Sequence, residues 1–350
     1  MVGIKRKGKP MKDITELQKY LESKDFSQLF ILVDENTSKH CLPTLLEKVD
    51  ILTDNQAILL EIPQGEENKN LSTVENLITS LQQSNADRNA CLVCLGGGVI
   101  CDLGGFTASI YKRSIERVNI PTTLLAMIDA AIGGKTAVDF GGVKNLVGTF
   151  DFNYETFLDT EFLDSLSKNQ IMDGVAEILK TFLVSDENLT CEFIQAITNA
   201  KVSNTTIKNE NDTTENSNTE NEILIQAIRP FIIKCASIKE DVVHQDCKDK
   251  GIRRKLNFGH TLAHAIELFY NLSHGHSVAV GISYALDLSV KHCGFPQKKA
   301  VKIQSFIADN YAIPPFKDDM KSLIPLMQQD KKNSGSNINF VLLKDVGVVF

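Results

Sequence analysis

Three apolar runs set the texture of the first half of the chain: LFILVD at 29–34, AILLEIP at 57–63 and ACLVCLGGG at 90–98. Each is short, nearly unbroken and closed by an acid, a proline or glycines, as a parallel strand buried on both faces is. Between the second and third, LSTVENLITSLQQ spaces its apolar residues as a helix does. RVNIPTT at 117–123 reads as a further short strand that Pro121 stops. Strand, helix, strand and an abrupt glycine turn predict an α/β domain with a parallel sheet, whose ligands gather at the carboxyl ends of the strands.

From about Asp159 the period changes. EFLDSLSKNQIMDGVAEILKTFLV, EILIQAIRPFIIKCASIKEDVV, TLAHAIELFY and SVAVGISYALDLSVKH all repeat at helical spacing, and glycines thin out. The pattern therefore divides the chain into an α/β part, 1–158, and an all-helical part, 159–350. Between two of the helices, KVSNTTIKNENDTTENSNTENE at 201–222 is polar and free of aromatics. Such a stretch buries too little surface to order itself, which predicts a disordered surface insertion.

Composition narrows the partners. A chain of 350 residues, 43% hydrophobic, is long enough for two cores. A net charge of −7 argues against nucleic acid or an anionic membrane as the main partner. The eight cysteines lie mostly in apolar stretches without an even framework, as free thiols in a reducing cytoplasm do. Cys91 and Cys94 form a C-x-x-C inside an apolar strand with no second pair, so a buried structural role outweighs metal or redox chemistry. No apolar segment follows the basic start MVGIKRKGKPMKD, and no run is long enough to span a bilayer, so neither signal peptide nor membrane span is expected.

Two stretches carry chemistry. LGGGVICDLGGF at 95–106 delivers three glycines from a strand, leaving bare backbone N–H groups that let a diphosphate approach. It is not G-x-G-x-x-G, and a glycine run alone is more often a structural turn. Its company is PTTLLAMIDAAIGGKTAVDFGGVKN at 121–145, where Thr122 and Thr123 offer hydroxyls and Lys135 and Lys144 offer positive charge among glycines. In an acidic protein that combination suggests an anion pocket. The second stretch, NFGHTLAHAIE at 257–267, sets His260, His264 and Glu267 on one helical face, and SHGHS adds His274 and His276. A histidine cluster of this kind favours a divalent metal. Thr261 follows His260 where a zinc peptidase has glutamate, which excludes that class. In GVAEILK, Glu177 and Lys180 stand one turn apart: an ordinary ion pair, or, in the sharper reading, a carboxylate that completes the metal site.

Together the motifs GEENK, GGGVICDLGGF, YKR, PTTLLAMIDAAIGGKT, KN, GVAEILK, GIRRKLNFGHTLAHAIE, HGHSVAVG and DKKN resemble, in order, those of the 3-dehydroquinate synthase family. The resemblance runs from about Asp34 to Val349 and implies a Rossmann-like NAD-binding domain followed by an all-α metal domain. It implies that Glu177, His260 and His274 bind a divalent ion, zinc or cobalt, and that His264 contacts substrate instead. NAD would be held by Asp34, Glu66, Lys69, Gly97, Gly98, Val99, Asp102, Thr122, Thr123, Lys135, Lys144 and Ser165. Asp129, Lys135, Asn145, Lys180, Lys239, Arg253, Asn257 and one of Lys331 and Lys332 would surround a phosphorylated keto sugar acid. Arg113 would reach the substrate phosphate across a homodimer interface. The implied reaction is transient oxidation by NAD, β-elimination of phosphate, re-reduction and aldol closure to a carbocycle, in the shikimate pathway. Another sugar phosphate cyclase and a non-catalytic NAD- and metal-binding scaffold are the rival readings. Departures from the family pattern are Cys101 and Ser114 for glycines, Ala130 and Ala131 for serines, Val143 for the glycine of GKN, Ser165 for threonine, and His276 for glutamate.

Overall fold

The computed structural model describes residues 11–54, 57–208, 216–328 and 337–350. The chain forms two compact units, Met1–Leu166 with Lys239–Lys248, and Ser167–Ile238 with Asp249–Phe350.

In the first unit, strands β1 (Lys12–Asp13), β2 (Leu29–Asp34), β3 (Ile58–Ile62), β4 (Cys91–Gly96), β5 (Glu116–Pro121) and β8 (Tyr154–Leu158) form one sheet, in the order β1-β8-β5-β4-β2-β3. Every pairing in it is parallel. The helices are α1 (Leu17–Glu22), α2 (Glu35–His40), α3 (Leu42–Lys48), α4 (Ile51–Asp54), α5 (Leu71–Gln83) and α6 (Gly98–Ile110). β4 is buried throughout and β2 over its first five residues, which explains their unbroken apolar runs. From β2 the chain steps outward to β3, then returns to lay β4 on the other side of β2. That reversal makes a topological switch point, where loops diverge and leave a crevice at the carboxyl ends of the strands. Asp34 ends β2 there, and Gly96 ends β4, with Gly97 and Gly98 leading into α6.

The sheet strands β1 and β8 and the hairpin of β6 (Lys135–Phe140) and β7 (Val143–Phe150) went unanticipated. Its turn is Gly141–Gly142, both at positive φ (59° and 77°), the two-residue connection that matches strand twist. F-G-G-V is a turn signal, and the neighbouring lysines fit an anion pocket equally well.

The second unit holds α7 (Lys168–Leu183), α8 (Glu187–Lys208), most of α9 (Asn216–Gln245), α10 (His260–Tyr270), α11 (His274–Cys293), α12 (Gln297–Asn310) and α13 (Met320–Gln328). It is not wholly helical: β9 (Leu343–Asp345) and β10 (Val348–Val349) pair antiparallel around Gly347. Three residues of strand are too few to show a period of two beside helices of nine to thirty residues. The polar stretch 201–222 is helical at both ends, because α8 runs to Lys208 and α9 starts at Asn216. Extending an existing helix costs far less than nucleating one, so polar residues follow on from the packed turns. Residues 209–215 of that insertion lie outside the described residues. Among the described residues no helix is long and apolar enough to cross a membrane.

Candidate active site

The carboxyl edge of the first unit's sheet carries the anion-binding elements. α6 begins at Gly98 with Gly97 as its N-cap, and neither offers a capping side chain. A Cβ on Gly97 would lie 3.1 Å from the Thr123 Cγ2, so the bare backbone is what lets the two loops pack. An uncapped helix N-terminus at a switch point presents N–H groups and a positive dipole end to a phosphate. Cys101 packs with Ala126, Ala130 and Ala131, its thiol 3.8 Å from the Gly96 carbonyl oxygen. The larger residue beneath the turn thus sits against small apolar neighbours.

Lys69 organises the next layer. It is only 4% exposed, and its Nζ donates to Asp102 Oδ2 and to Asn145 Oδ1, each at 2.7 Å, with Glu66 at 3.8 Å. Burial pushes the ammonium down, but the Asp102 and Glu66 carboxylates outweigh it and raise the Lys69 pKa. Asn145 holds a left-handed φ of 52°, and its N–H donates to Asp139 Oδ1 at 2.7 Å. The hairpin therefore ties Asn145 to the Lys69–Asp102 pair, joining residues that the family resemblance divides between cofactor and substrate. Asp129 lies in a π-helical turn, Ala126–Ala130. Both its backbone carbonyl and Oδ1 accept from Lys239 Nζ, at 2.6 and 2.5 Å. Lys239, far along the sequence, belongs to this unit with the end of α9.

The remaining first-unit candidates fall into place less tightly. Asp34 caps α2, its Oδ1 accepting from the Thr37 N–H at 2.8 Å. Thr122 is buried and donates its N–H to the Gly96 carbonyl. Lys135 and Lys144 stand exposed on the hairpin. Ser165 bonds the Phe162 carbonyl, and Val99 lies in the first turn of α6. Arg113 is exposed, in a run from Lys112 to Ser114 at positive φ, a conformation that costs energy in every non-glycine residue.

In the second unit, α7, α10 and α11 meet through glycines. A Cβ on Gly275 would fall 2.2 Å from the Asp173 Cα, and one on Gly281 would fall 2.1 Å from the Gly259 carbonyl oxygen. Close backbone approach brings Glu177, His260 and His274 together, with one ligand atom from each within 4.8 Å of the others. Glu177 Oε1 is 3.3 Å from both His260 Nε2 and His274 Nε2. Glu177 is 1% exposed, and among the described residues neither of its carboxylate oxygens has a hydrogen bond of good geometry. Its Oε2 lies 2.6 Å from Lys180 Nζ, which is 2% exposed. Burial works to raise the Glu177 carboxyl, yet Lys180 and His260 outweigh it and hold it well below the ordinary range. For His274 burial works downward, but the neighbouring Glu177 and Glu267 carboxylates prevail and push it up to about 10. Two imidazoles and a carboxylate whose ligand atoms converge on one point suit a divalent cation such as zinc.

His264 is half-buried, its ring centroid 5.5 Å from that of His260, and it is not one of the three converging ligands. His276 turns instead to the Ala312 carbonyl and Tyr311. Arg253 is buried and Asn257 half-buried in the turn that precedes α10. Lys331 and Lys332 lie outside the described residues. All eight cysteines are free, Cys91 and Cys94 fully buried.

Two family models match the chain, 3-dehydroquinate synthase N-terminal over residues 59–173 and 3-dehydroquinate synthase C-terminal over 174–333. The chain is 40% identical to the 3-dehydroquinate synthase of Parabacteroides distasonis, over 96% of its own length and 90% of that protein's. The chain belongs to the 3-dehydroquinate synthase family. It is also 38% identical to the 3-dehydroquinate synthase of Campylobacter jejuni, over 93% of this chain and 89% of that one. Among solved structures, 2-deoxy-scyllo-inosose synthase in complex with carbaglucose-6-phosphate, NAD+ and Co2+ superposes with a TM-score of 0.79 at 25% identity. That match covers 97% of this chain and 90% of the other. The chain is accordingly an enzyme with 3-dehydroquinate synthase activity, NAD- and metal-dependent as its family is.

Proposed function

We propose that the chain converts 3-deoxy-D-arabino-heptulosonate 7-phosphate to 3-dehydroquinate and phosphate, using NAD and one zinc or cobalt ion, as a cytoplasmic homodimer. The observation that carries the metal part is the convergence of Glu177, His260 and His274 on one point. When bound, NAD accepts and returns a hydride, and the ion polarises substrate hydroxyls.

The protein's own residues bind, orient and move protons. The Gly97–Gly98 helix start and Thr123 face the dinucleotide phosphates, and the buried Lys69–Asp102 pair holds the neighbouring loop in place. Lys180 and Arg253, both buried, supply fixed positive charge for the substrate's carboxylate and phosphate. Lys239 holds Asp129 by two contacts and so fixes the turn that presents it. His264 and Asn257 manage protons and hydroxyl contacts. Arg113, exposed and held at a φ of 70°, is poised to serve a second copy's substrate phosphate.

The test is phosphate release from the heptulosonate phosphate with catalytic NAD, before and after chelation and re-addition of zinc or cobalt. Metal-dependent release with dehydroquinate formed and no net NADH is the expected outcome. A folded chain that binds NAD and metal but releases nothing overturns the substrate, and turnover of a hexose 6-phosphate lacking the carboxylate would then identify another sugar phosphate cyclase.

A further inference from the structure

We propose that Glu267 is the positioning residue that reserves His274 for metal, holding its Nδ1–H so that Nε2 faces Glu177, with Asp173 anchoring the helix that carries the ring. The proposal rests on the metal reading of the trio and extends it to Glu267 and Asp173.

His274 is the first residue of α11 and the most exposed member of the trio, its side chain a third open to solvent. Packing alone holds such a ring weakly. Its Nδ1 lies 3.1 Å from Glu267 Oε2, while Nε2 lies 3.3 Å from Glu177 Oε1. An ionised carboxylate only accepts, so the Glu267 contact obliges Nδ1 to carry the proton and leaves the Nε2 lone pair for an ion. Glu267 is itself 12% exposed, at the far end of α10 from His260. One helix thus supplies a ligand at its first turn and the partner of a second ligand two turns later.

Asp173 fixes the backbone under the ring. Its Oδ1 accepts from the Ser273 hydroxyl at 2.5 Å and from the N–H groups of Gly275 at 3.1 Å and His276 at 3.3 Å. Ser273 occupies the N-cap of α11 without capping it, and Asp173 provides that cap from α7, one turn ahead of Glu177 on the same face. Metal-bound histidines held by a carboxylate lose about 10–100-fold in metal affinity when that carboxylate is removed.

The test measures zinc affinity of the full-length chain by competition with a chromophoric chelator, for wild type, Glu267→Gln and Glu267→Ala. NAD affinity and the denaturation midpoint of the metal-free protein are measured alongside. Expected is a loss of about 10–100-fold in zinc affinity for Glu267→Ala and a smaller loss for Glu267→Gln, whose amide oxygen still accepts, with NAD affinity unchanged. Ring 15N shifts of His274, assigned by its loss in His274→Gln, should report a protonated Nδ1 and a metal-bound Nε2 in the zinc-loaded wild type. Unchanged zinc affinity in both variants, or the opposite tautomer, overturns the proposal. So does a zinc loss that merely follows a falling midpoint and weaker NAD binding. No zinc binding by wild type would sink the metal reading first, and no substrate is needed for any of these measurements.

Discussion

The two functional regions solve the same problem, holding charge in a fixed place, by opposite means. At the switch point of the first unit, backbone does most of the work: an uncapped helix start, glycines against Thr123, and one buried lysine with its carboxylates. In the second unit three buried or half-buried side chains converge, and glycines serve only to let their helices approach. A backbone cradle depends little on the side chains around it, and Cys101 there packs against small alanines. A side-chain trio has less room for change, because each member supplies one of the three ligand atoms.

Glu177→Gln is the largest break. It removes the carboxylate 2.6 Å from Lys180, which is 2% exposed, and removing one partner of such a buried pair costs about 3–5 kcal/mol. The denaturation midpoint of the metal-free variant should fall accordingly, and zinc binding should be lost. A midpoint within error of wild type would show that the pair is solvated in solution. Asp102→Asn is the matching change in the first unit. Asp102 is 19% exposed and Lys69 keeps Asn145 and Glu66, so the cost is smaller, about 1.5–3 kcal/mol for one charge-assisted bond. Equal losses in the two variants would erase the contrast.

Gly275→Ala tests the close approach of α7 and α11. The new Cβ, 2.2 Å from the Asp173 Cα, forces the helices apart at a cost of about 1–3 kcal/mol. Zinc affinity should fall while NAD affinity holds, checked by calorimetric titration of each. Gly97→Ala, with a contact of 3.1 Å to a threonine methyl, should show the reverse at lower cost.

The last test is pH dependence, seen with the metal chelated. A pKa of His274 raised from 6.5 to about 10 contributes stability fully present below 6.5 and lost as pH rises through 10. Glu177, held low, contributes stability present above 4.5 and lost as pH falls through its depressed value. Tm of the chelated protein should therefore decline between pH 7 and 10, and bound zinc should flatten that decline by expelling the proton from His274. A flat profile without metal would show that His274 is neutral throughout.

How much of this is legible in the sequence differs between the regions. LFILVD and LSTVENLITSLQQ match β2 and α5 residue for residue, because burial on both faces and a helical stripe each leave a local period. The glycine turn after β4 is equally local. His260 and His274 are close enough in sequence to register as a cluster, but Glu177 reads equally as an i, i+3 ion pair or as a metal carboxylate, and the resemblance to a family favours the second. Asp173 has no local signal at all, since its three donors come from the start of another helix. The FGGV hairpin is hard to read locally, because two lysines beside glycines suit both a turn and an anion loop.

The sequence by itself determined the parallel α/β half, the helical half and the residue types that could carry phosphate and metal chemistry, since propensity, period and charge are properties of neighbours in the chain. Only the tertiary structure decided that Lys239 serves Asp129, that Asn145 joins Lys69, and that Glu177 meets two histidines while a third, His264, stands outside the trio. Those choices depend on which helix faces approach closely enough to exclude water, and close approach is set by packing between segments distant in sequence.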